Sequence, residues 1–415
     1  MNRLSLYIHI PFCVRKCHYC DFLSAPCKEE TRQEYVEALC MEIVQRAKLY
    51  KDRIVDTIFF GGGTPSLLSA KQMGKIMETV RQEFQILTEA EISMEVNPGT
   101  ADREKLKAYK ECGINRLSIG LQSANNEELK VLGRIHTWEV FENTWKQVRE
   151  LGFSNVNIDL MSALPGQTLE SYENTLRKVL ALKPEHISAY SLIIEEGTKF
   201  YEWFGDEVSR TGGEAYELSL EDMEVYFRAK KLPDEIADRR MYEMTRTLLE
   251  EHGYHRYEIS NYALKGYECK HNVGYWKRKE YLGLGLGAAS LLSNVRSSNV
   301  SELSEYLELG QKMQHLGKVQ EDIKHKEIDW SAEQEELSIK DQMEEFMFLG
   351  LRMIEGISCL EFEKQFGKSL QEIYGTQIVK LEKQGLLQYQ EETERYALTL
   401  QGIDVSNQVF VEFIG

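Results

Sequence analysis

The chain has 415 residues, of which 42% are hydrophobic and 28% charged, a composition that is ordinary for a globular protein of one large domain and one or two small ones. A formal net charge of -17 at pH 7 disfavours non-specific binding to phosphate backbones, so no nucleic-acid partner is expected. No apolar run approaches the ~18 residues that cross a bilayer, and no signal peptide is recognisable. We therefore expect no transmembrane segment and a cytoplasmic protein whose cysteines stay reduced.

Alternating strand and helix patterns fill the first half of the chain. Segments with helical periodicity separate six apolar runs, and this order predicts a parallel sheet with right-handed crossovers. In such sheets the functional sites form at the carboxyl ends of the strands. The predicted strands are 4–10, 54–60, 91–96, 116–121, 156–162 and 186–193.

The remainder of the chain is less regular. Residues 200–253 are mostly polar with helical character and a Gly212-Gly213 break, 254–260 resemble a strand, and the charged stretch 320–336 resembles a linker. Residues 341–398 predict helices closed by a short hairpin, which suits a winged-helix-like module. The predicted division is 1–200 for the strand–helix unit, 201–320 for an α+β extension and 321–415 for the small helical module.

Three cysteines directly after the first strand carry the strongest chemical signal. Cys13, Cys17 and Cys20 form a C-x3-C-x2-C cluster. Three thiolates can bind three irons of a [4Fe–4S] cluster and leave the fourth iron open for a small cofactor. Zinc, with His9, His18 or Cys27 as a fourth ligand, and free thiols are the alternatives.

A glycine-rich turn follows the second strand. Gly62, Gly63 and Thr64 belong to a Gly-Gly-Gly-Thr-Pro-Ser run, in which the missing side chains let a ligand approach backbone N–H groups. The run lacks the Lys-Ser/Thr pair of a phosphate-binding loop, and a plain tight turn is the alternative.

Polar residues recur at the ends of the next strands. Glu95, Gln122 and Asp159 lie on or just beyond strands three, four and five, and Arg134 follows strand four. An ionised side chain that faces the protein interior costs free energy of folding unless it binds a partner. The set suits ribose hydroxyls, an ammonium group and a carboxylate, although a capping or solvated role is open for each residue alone.

In combination these motifs resemble the radical S-adenosylmethionine (SAM) proteins of the coproporphyrinogen-oxidase-like group, and within it the haem chaperones of the HemW type. The resemblance spans nearly the whole chain. It is carried by residues 7–22, 61–66, 94–99, 116–123, 132–137, 158–160, 164–167, 257–263 and 271–276.

The resemblance implies an α/β fold with a partial (βα)6 barrel, a [4Fe–4S] cluster on the three cysteines and SAM on its open iron. It also implies a reductant protein as a partner of the cluster. The residues that it places around SAM are Tyr7, Gly62, Gly63, Thr64, Glu95, Gln122, Arg134 and Asp159.

Two functions within this group are separated by two further features. The oxygen-independent oxidases carry a cysteine two residues beyond the third and a long N-terminal extension, whereas this chain has Phe22 and starts its first strand at once. Both features, and the His-Asn-x-x-Tyr-Trp motif at 271–276, favour a haem chaperone that delivers haem to a haem-requiring acceptor protein. His271 is the candidate axial haem ligand, with Cys269 as its competitor. Coproporphyrinogen III oxidase is the alternative, and a zinc-stabilised interaction module is a third.

Overall fold

The fold is built on one twelve-stranded mixed sheet, seen in a computed structural model that describes residues 3–205, 231–318 and 328–415. The strands are β1 Arg3–Ile10, β2 Ile54–Gly62, β3 Gln85–Val96, β4 Arg116–Gln122, β5 Val156–Ser162, β6 His186–Ser191, β7 His255–Arg256, β8 Asn261–Ala263, β9 Tyr281–Leu284, β10 Ala289–Leu292, β11 Val295–Asn299, β12 Ser331–Glu336, β13 Ile357–Ser358, β14 Leu387–Gln390 and β15 Arg395–Leu398. Strands β1 to β6 lie side by side in chain order and are parallel. The predicted partial barrel of six strand–helix units is therefore confirmed.

Helices cover this parallel sheet and form the smaller module. Within the described residues they are α1 Glu29–Ala47, α2 Ala70–Glu83, α3 Arg103–Glu111, α4 Asn126–Val131, α5 Trp138–Glu150, α6 Leu169–Leu182, α7 Lys199–Phe204, α8 Glu235–Glu251, α9 Lys270–Trp276, α10 Leu303–Lys318, α11 Ile339–Gly350, α12 Cys359–Phe366, α13 Leu370–Lys383, α14 Leu400–Asp404 and α15 Ser406–Val411, with a short 3-10 helix at Pro65–Leu67. In the part of the chain that is described, no helix is long and apolar enough to cross a bilayer.

Local sequence explains where several of these elements begin. Ser69 and Thr168 cap α2 and α6 with a reciprocal capping box, so that orphan N–H groups in the first turn are satisfied. Every residue of β4 is buried, as expected for a parallel strand covered on both faces. Its sequence alternates Leu117, Ile119 and Leu121 with Arg116, Ser118 and Gln122, so polar side chains are buried together with the apolar ones.

Two details differ from the sequence-based expectations. The strand predicted at 254–260 is two short strands, β7 and β8, separated by a turn. The prediction of a linker is wrong for residues 331–336, because they form β12, which pairs with β11 at the sheet edge. Its charged side chains are exposed, so its pairing comes from the backbone and leaves no apolar pattern. The Gly212-Gly213 break and residues 320–327 lie outside the described residues.

The C-terminal module has its own apolar core. Helices α11 to α13 precede the hairpin β14–β15, and β13 adds a third strand to that hairpin. Phe362, Tyr374, Ile378 and Leu398 are among the side chains buried between them. This order of helices and hairpin agrees with the winged-helix-like module. The boundaries predicted near 200 and 320 stay predictions, because both lie beside residues that are not described.

A buried carboxylate joins α1 to the turn after β9, to β11 and to α10. Glu42 accepts hydrogen bonds from the Gly285 N–H (2.9 Å), Asn299 Nδ2 (2.7 Å) and the Tyr306 hydroxyl (2.6 Å). Its side chain is fully buried, and burial raises its pKa. Without this carboxylate the Gly285 N–H and the Tyr306 hydroxyl would have no acceptor, whereas Asn299 Nδ2 would keep its second bond, to the Gly285 carbonyl at 2.8 Å.

We predict that Glu42→Ala lowers the free energy of unfolding by about 2 kcal/mol or more, because two buried donors lose their acceptor. Glu37→Ala is the matched control on the same helix, since its side chain is 43% exposed and its only ion pair among the described residues, with Lys75, is long at 3.8 Å. That control should change the free energy by less than about 0.5 kcal/mol. Urea denaturation followed by circular dichroism measures both values, and equal effects would contradict the predicted role of Glu42.

Candidate functional site

The three cysteines lie on a loop that leaves the carboxyl end of β1. The loop is closed by backbone bonds from the Cys13 N–H to the Ala25 carbonyl (3.1 Å) and from the Ala25 N–H to the Pro11 carbonyl (3.0 Å). Cys13 Sγ lies 3.4 Å from Thr64 Oγ1, and the Arg134 guanidinium donates to Cys17 Sγ at 3.7 Å. All three thiols are half-buried and none is in a disulfide. They are therefore available as metal ligands.

Two histidines hold this loop in place. The Tyr7 hydroxyl donates to His9 Nδ1 (3.0 Å), and His9 Nε2 donates to the Leu23 carbonyl (2.9 Å). His18 Nδ1 donates to the Val131 carbonyl at 3.0 Å. Burial lowers the pKa of His9, so its ring is neutral, as these bonds require.

This arrangement does not favour the zinc alternative. Both nitrogens of His9 and one of His18 already have protein partners, and Cys27 packs against the main apolar core. Among the described residues, no three His, Cys, Asp or Glu side chains converge on one point as ligands of a single metal ion must. A cubane cluster differs, because each cysteine binds a separate iron.

The glycine turn after β2 approaches the cysteine loop closely. Gly62 has φ +110, and a Cβ on it would lie 2.4 Å from the His9 ring. A Cβ on Gly63 would lie 2.7 Å from the backbone oxygen of Phe12. The Gly63 N–H donates to the Ile10 carbonyl, and the Gly62 N–H donates to Glu95 Oε2. Glycine is therefore required at both positions by close packing and not only by turn geometry.

Glu95 and Asp159 are half-buried carboxylates that face the same pocket. Asp159 accepts hydrogen bonds from Asn157 Nδ2 (2.7 Å) and Ser118 Oγ (3.2 Å). Burial raises the pKa of both side chains, and for Glu95 the nearby charge of Asp159 adds to burial and brings the value to about 8. Two such carboxylates strongly favour a bound cation or hydroxyl donors.

Arg134 and Asn97 link the cysteine loop to the strand ends. Arg134 Nη2 donates to Asn97 Oδ1 (2.8 Å) and to the Gly120 carbonyl (2.6 Å), while Asn97 Nδ2 donates to Thr64 Oγ1 (2.8 Å). Gln122 adopts φ 71 where the pairing register of β4 and β5 shifts. Such backbone strain is characteristic of functional positions. Asn97 was not among the predicted site residues, although the Asn-Pro-Gly turn after β3 was a signal for it.

Most of the predicted site residues line one pocket at the carboxyl ends of β1 to β5. Asn97, Ser118 and Gly120 line it as well, and Phe22 lies at its exposed side. Tyr7 is not part of the lining, because it lies behind the pocket with its hydroxyl bonded to His9. The predicted residues in the lining are Cys13, Cys17, Cys20, Gly62, Gly63, Thr64, Glu95, Gln122, Arg134 and Asp159.

His271 lies away from this pocket, on α9 against the inside of the barrel. Thr57 Oγ1 lies 2.8 Å from its Nδ1, the Tyr275 hydroxyl lies 3.0 Å from its Nε2, and the ring stacks on Phe59. Burial, with the charge of Arg116, lowers the pKa of His271 to about 3. Ligation of haem by His271 stays a prediction, and it would first require one of these hydrogen bonds to break.

The competing residue Cys269 is also engaged in structure. It is fully buried, and its Sγ lies 3.6 Å from Glu91 Oε1. The same carboxylate accepts the backbone N–H groups of Lys270 (3.0 Å) and His271 (3.2 Å), so it holds the start of α9. Burial raises the pKa of Cys269 to about 12, and the residue is therefore a neutral thiol.

Comparison with known proteins agrees with this geometry. Residues 7–179 match the family model of the radical SAM superfamily and residues 337–405 that of the HemN C-terminal domain. The chain is 35% identical to "Heme chaperone HemW" of Bacillus subtilis (strain 168) over 99% of both chains. It is 41% identical to the protein of that name from Escherichia coli (strain K12) over 69% of each chain. The chain belongs to the HemW family of radical SAM proteins.

The fold of this family member also matches a solved structure. Coproporphyrinogen III oxidase (HemN) from Escherichia coli, described as a radical SAM enzyme, superimposes with a TM-score of 0.77. The match covers 99% of this chain and 90% of the oxidase at 24% identity. At that identity the match establishes the shared fold, including the barrel and the C-terminal module, and does not assign the oxidase reaction.

We predict that SAM binds more tightly as the pH rises toward about 8, because only ionised Glu95 attracts the cationic groups of the ligand. The gain should be at most about tenfold per pH unit below that pKa. Equilibrium dialysis of the anaerobic, iron-loaded protein from about pH 6.5 to about pH 8.5 measures it. Glu95→Gln is the control for the titration of SAM itself and should show a flatter profile. Identical slopes in both proteins would contradict the role of Glu95.

Proposed function

We propose that Cys13, Cys17 and Cys20 bind a [4Fe–4S] cluster and that the adjoining pocket binds SAM. The observation that carries this proposal is the convergence of three free thiols, a glycine turn and two half-buried carboxylates on one pocket. These donors fit the groups concerned, since thiolates bind iron and the carboxylates suit an ammonium group and ribose hydroxyls. A bound cluster and SAM would together supply one-electron radical chemistry.

The chain's own residues position the ligand. The close packing at Gly62 and Gly63 lets the glycine turn lie against the cysteine loop, beside the thiols. Glu95 and Asp159 line the sheet side of the pocket as acceptors, and hydrogen bonds to ionised carboxylates are stronger than those between neutral groups. Arg134 donates a hydrogen bond to Cys17 Sγ and so places a cation beside one of the three thiols.

We further propose that the protein binds haem and delivers it to a haem-requiring acceptor protein. The support is the name of the relatives, which are 35–41% identical and described as haem chaperones. Separate sites for cluster and haem are expected, because the pocket at the cysteines is filled by its own ligands. A reductant protein would be a second partner, since cleavage of SAM by a cluster requires an electron.

Coproporphyrinogen III oxidase activity is the second candidate. The observation that favours it is the shared fold with the oxidase HemN. The observation against it is Phe22, two residues beyond Cys20, where the oxidases have a cysteine. Phe22 lines the pocket with 61% of its surface exposed and offers no ligand or proton donor there. A direct assay of both activities separates the two functions.

We predict that anaerobic reconstitution loads about four irons per chain with absorbance near ~400 nm. Replacing Cys13, Cys17 or Cys20 by Ala should each remove the cluster, because every thiolate binds a different iron. Cys359→Ala, in the C-terminal module, is the matched control and should keep full iron content. Iron and labile sulfide assays give the measurement, and zinc in place of iron under these conditions would refute the cluster.

We predict haem binding near one equivalent per chain and no turnover of coproporphyrinogen III with SAM and a reductant. Haem binding should survive Cys13→Ala, because cluster and haem occupy separate sites. Titration in the Soret region measures binding, and chromatography of the porphyrin products measures turnover. Formation of protoporphyrinogen IX by the same preparation would establish the oxidase instead.

A further inference from the structure

A second, larger cavity lies at the opposite end of the barrel from the cysteines. Its volume is about 910 Å³, within the range of about 300–1,000 Å³ that is usual for small-molecule sites. Arg3 and Ser5 of β1 and Thr57 of β2 line it at the amino ends of these strands. Met353 closes it from the C-terminal module. We call it the amino-end cavity.

The walls of the amino-end cavity combine an apolar surface with unpaired cations. Leu87, Val273, Met353 and Ile354 provide the apolar part. Arg3, Lys270 and Lys279 are exposed at its edge and form no ion pair with any described carboxylate.

The carboxylates of the cavity do not cancel this charge. Glu268 and Glu355 line it but are paired with His255 and Lys277, each at 2.8 Å. Asp56 and Glu89 also line the cavity. These two carboxylates are outnumbered by the unpaired cations of Arg3, Lys270 and Lys279. A flat apolar ligand with two carboxylates at one edge fits such walls.

One histidine of the cavity has the arrangement of a metal ligand. His255 is 44% exposed, and its Nε2 lies 2.8 Å from Glu268 Oε1. Its Nδ1 has no hydrogen-bond partner among the described residues. Metal-binding histidines characteristically donate one ring N–H to a carboxylate, which orients the ring and raises the basicity of the other nitrogen. His271 differs, since both of its nitrogens are engaged.

We propose that the amino-end cavity binds an iron porphyrin dicarboxylate, with His255 Nδ1 as an axial ligand and Arg3, Lys270 and Lys279 paired with the propionates. This proposal rests on the proposed haem binding and specifies its site. Glu268 is a positioning residue, because it acts through His255. Haem would then lie at the opposite end of the barrel from the cluster.

The test is a titration of the iron-loaded protein with haem and, in parallel, with haem dimethyl ester, which lacks the propionate charges. We expect His255→Ala to shift the Soret band and to weaken binding by about tenfold or more, and free imidazole to restore the band. The matched control is His315→Ala, an exposed histidine of α10, which should keep the wild-type spectrum. His271→Ala tests the rival ligand in parallel.

The charges are tested with the double variant Lys270→Glu/Lys279→Glu. It should weaken haem by about tenfold or more and the dimethyl ester by much less, because only haem carries carboxylates. Lys51→Glu/Lys71→Glu makes the same change of charge at exposed positions outside the cavity and should bind both ligands as wild type does.

The outcomes separate this inference from the proposed function. A wild-type protein that binds no haem overturns the proposed function itself. If the wild type binds haem while His255→Ala keeps its spectrum and affinity, the assignment of His255 is overturned and haem binding stands. Loss of the wild-type spectrum in His271→Ala, but not in His255→Ala, would return the ligand to His271.

Discussion

The buried guanidinium of Arg116 is the interaction on which the inside of the barrel depends. The side chain is 2% exposed. Burial lowers its pKa, but nearby acidic groups, among them Glu91 and Asp159, outweigh burial and raise it. Glu91 holds the start of α9, and Asp159 faces the pocket at the cysteines. One cation thus permits carboxylates at both ends of the barrel, and without it they would be uncompensated buried charges.

Hydrogen bonds continue this connection between the two ends. The Tyr257 hydroxyl donates to His186 Nε2 (2.8 Å), His186 Nδ1 donates to Asn157 Oδ1 (2.6 Å), and Asn157 Nδ2 donates to Asp159 (2.7 Å). Tyr257 lines the amino-end cavity, whereas Asp159 lines the pocket at the cysteines. Burial lowers the pKa of His186, so its ring is neutral as this order of donors requires. A continuous chain of hydrogen bonds therefore connects the amino-end cavity to the pocket at the cysteines.

The strands of the barrel could be predicted because their sequence matches their surroundings. A parallel strand such as β4 is buried on both faces, and Leu117, Ile119 and Leu121 mark it in the sequence although polar residues lie between them. The edge strand β12 could not be predicted, since its charged side chains face solvent and only backbone pairing with β11 makes it a strand. The division between β7 and β8 was missed for a related reason, because each strand has only two or three residues.

The sequence by itself determined the cysteine loop, the glycine turn and the polar residues at the strand ends, because each is local to one strand and its following loop. Tertiary structure alone decided which of them meet. It placed Asn97 between Thr64 and Arg134 and Tyr7 behind the pocket. It also gave both ring nitrogens of His271 hydrogen-bond partners, and it left Nδ1 of His255 without a partner among the described residues. Hydrogen bonds between residues distant in the chain decide such roles, and no spacing in the sequence records them.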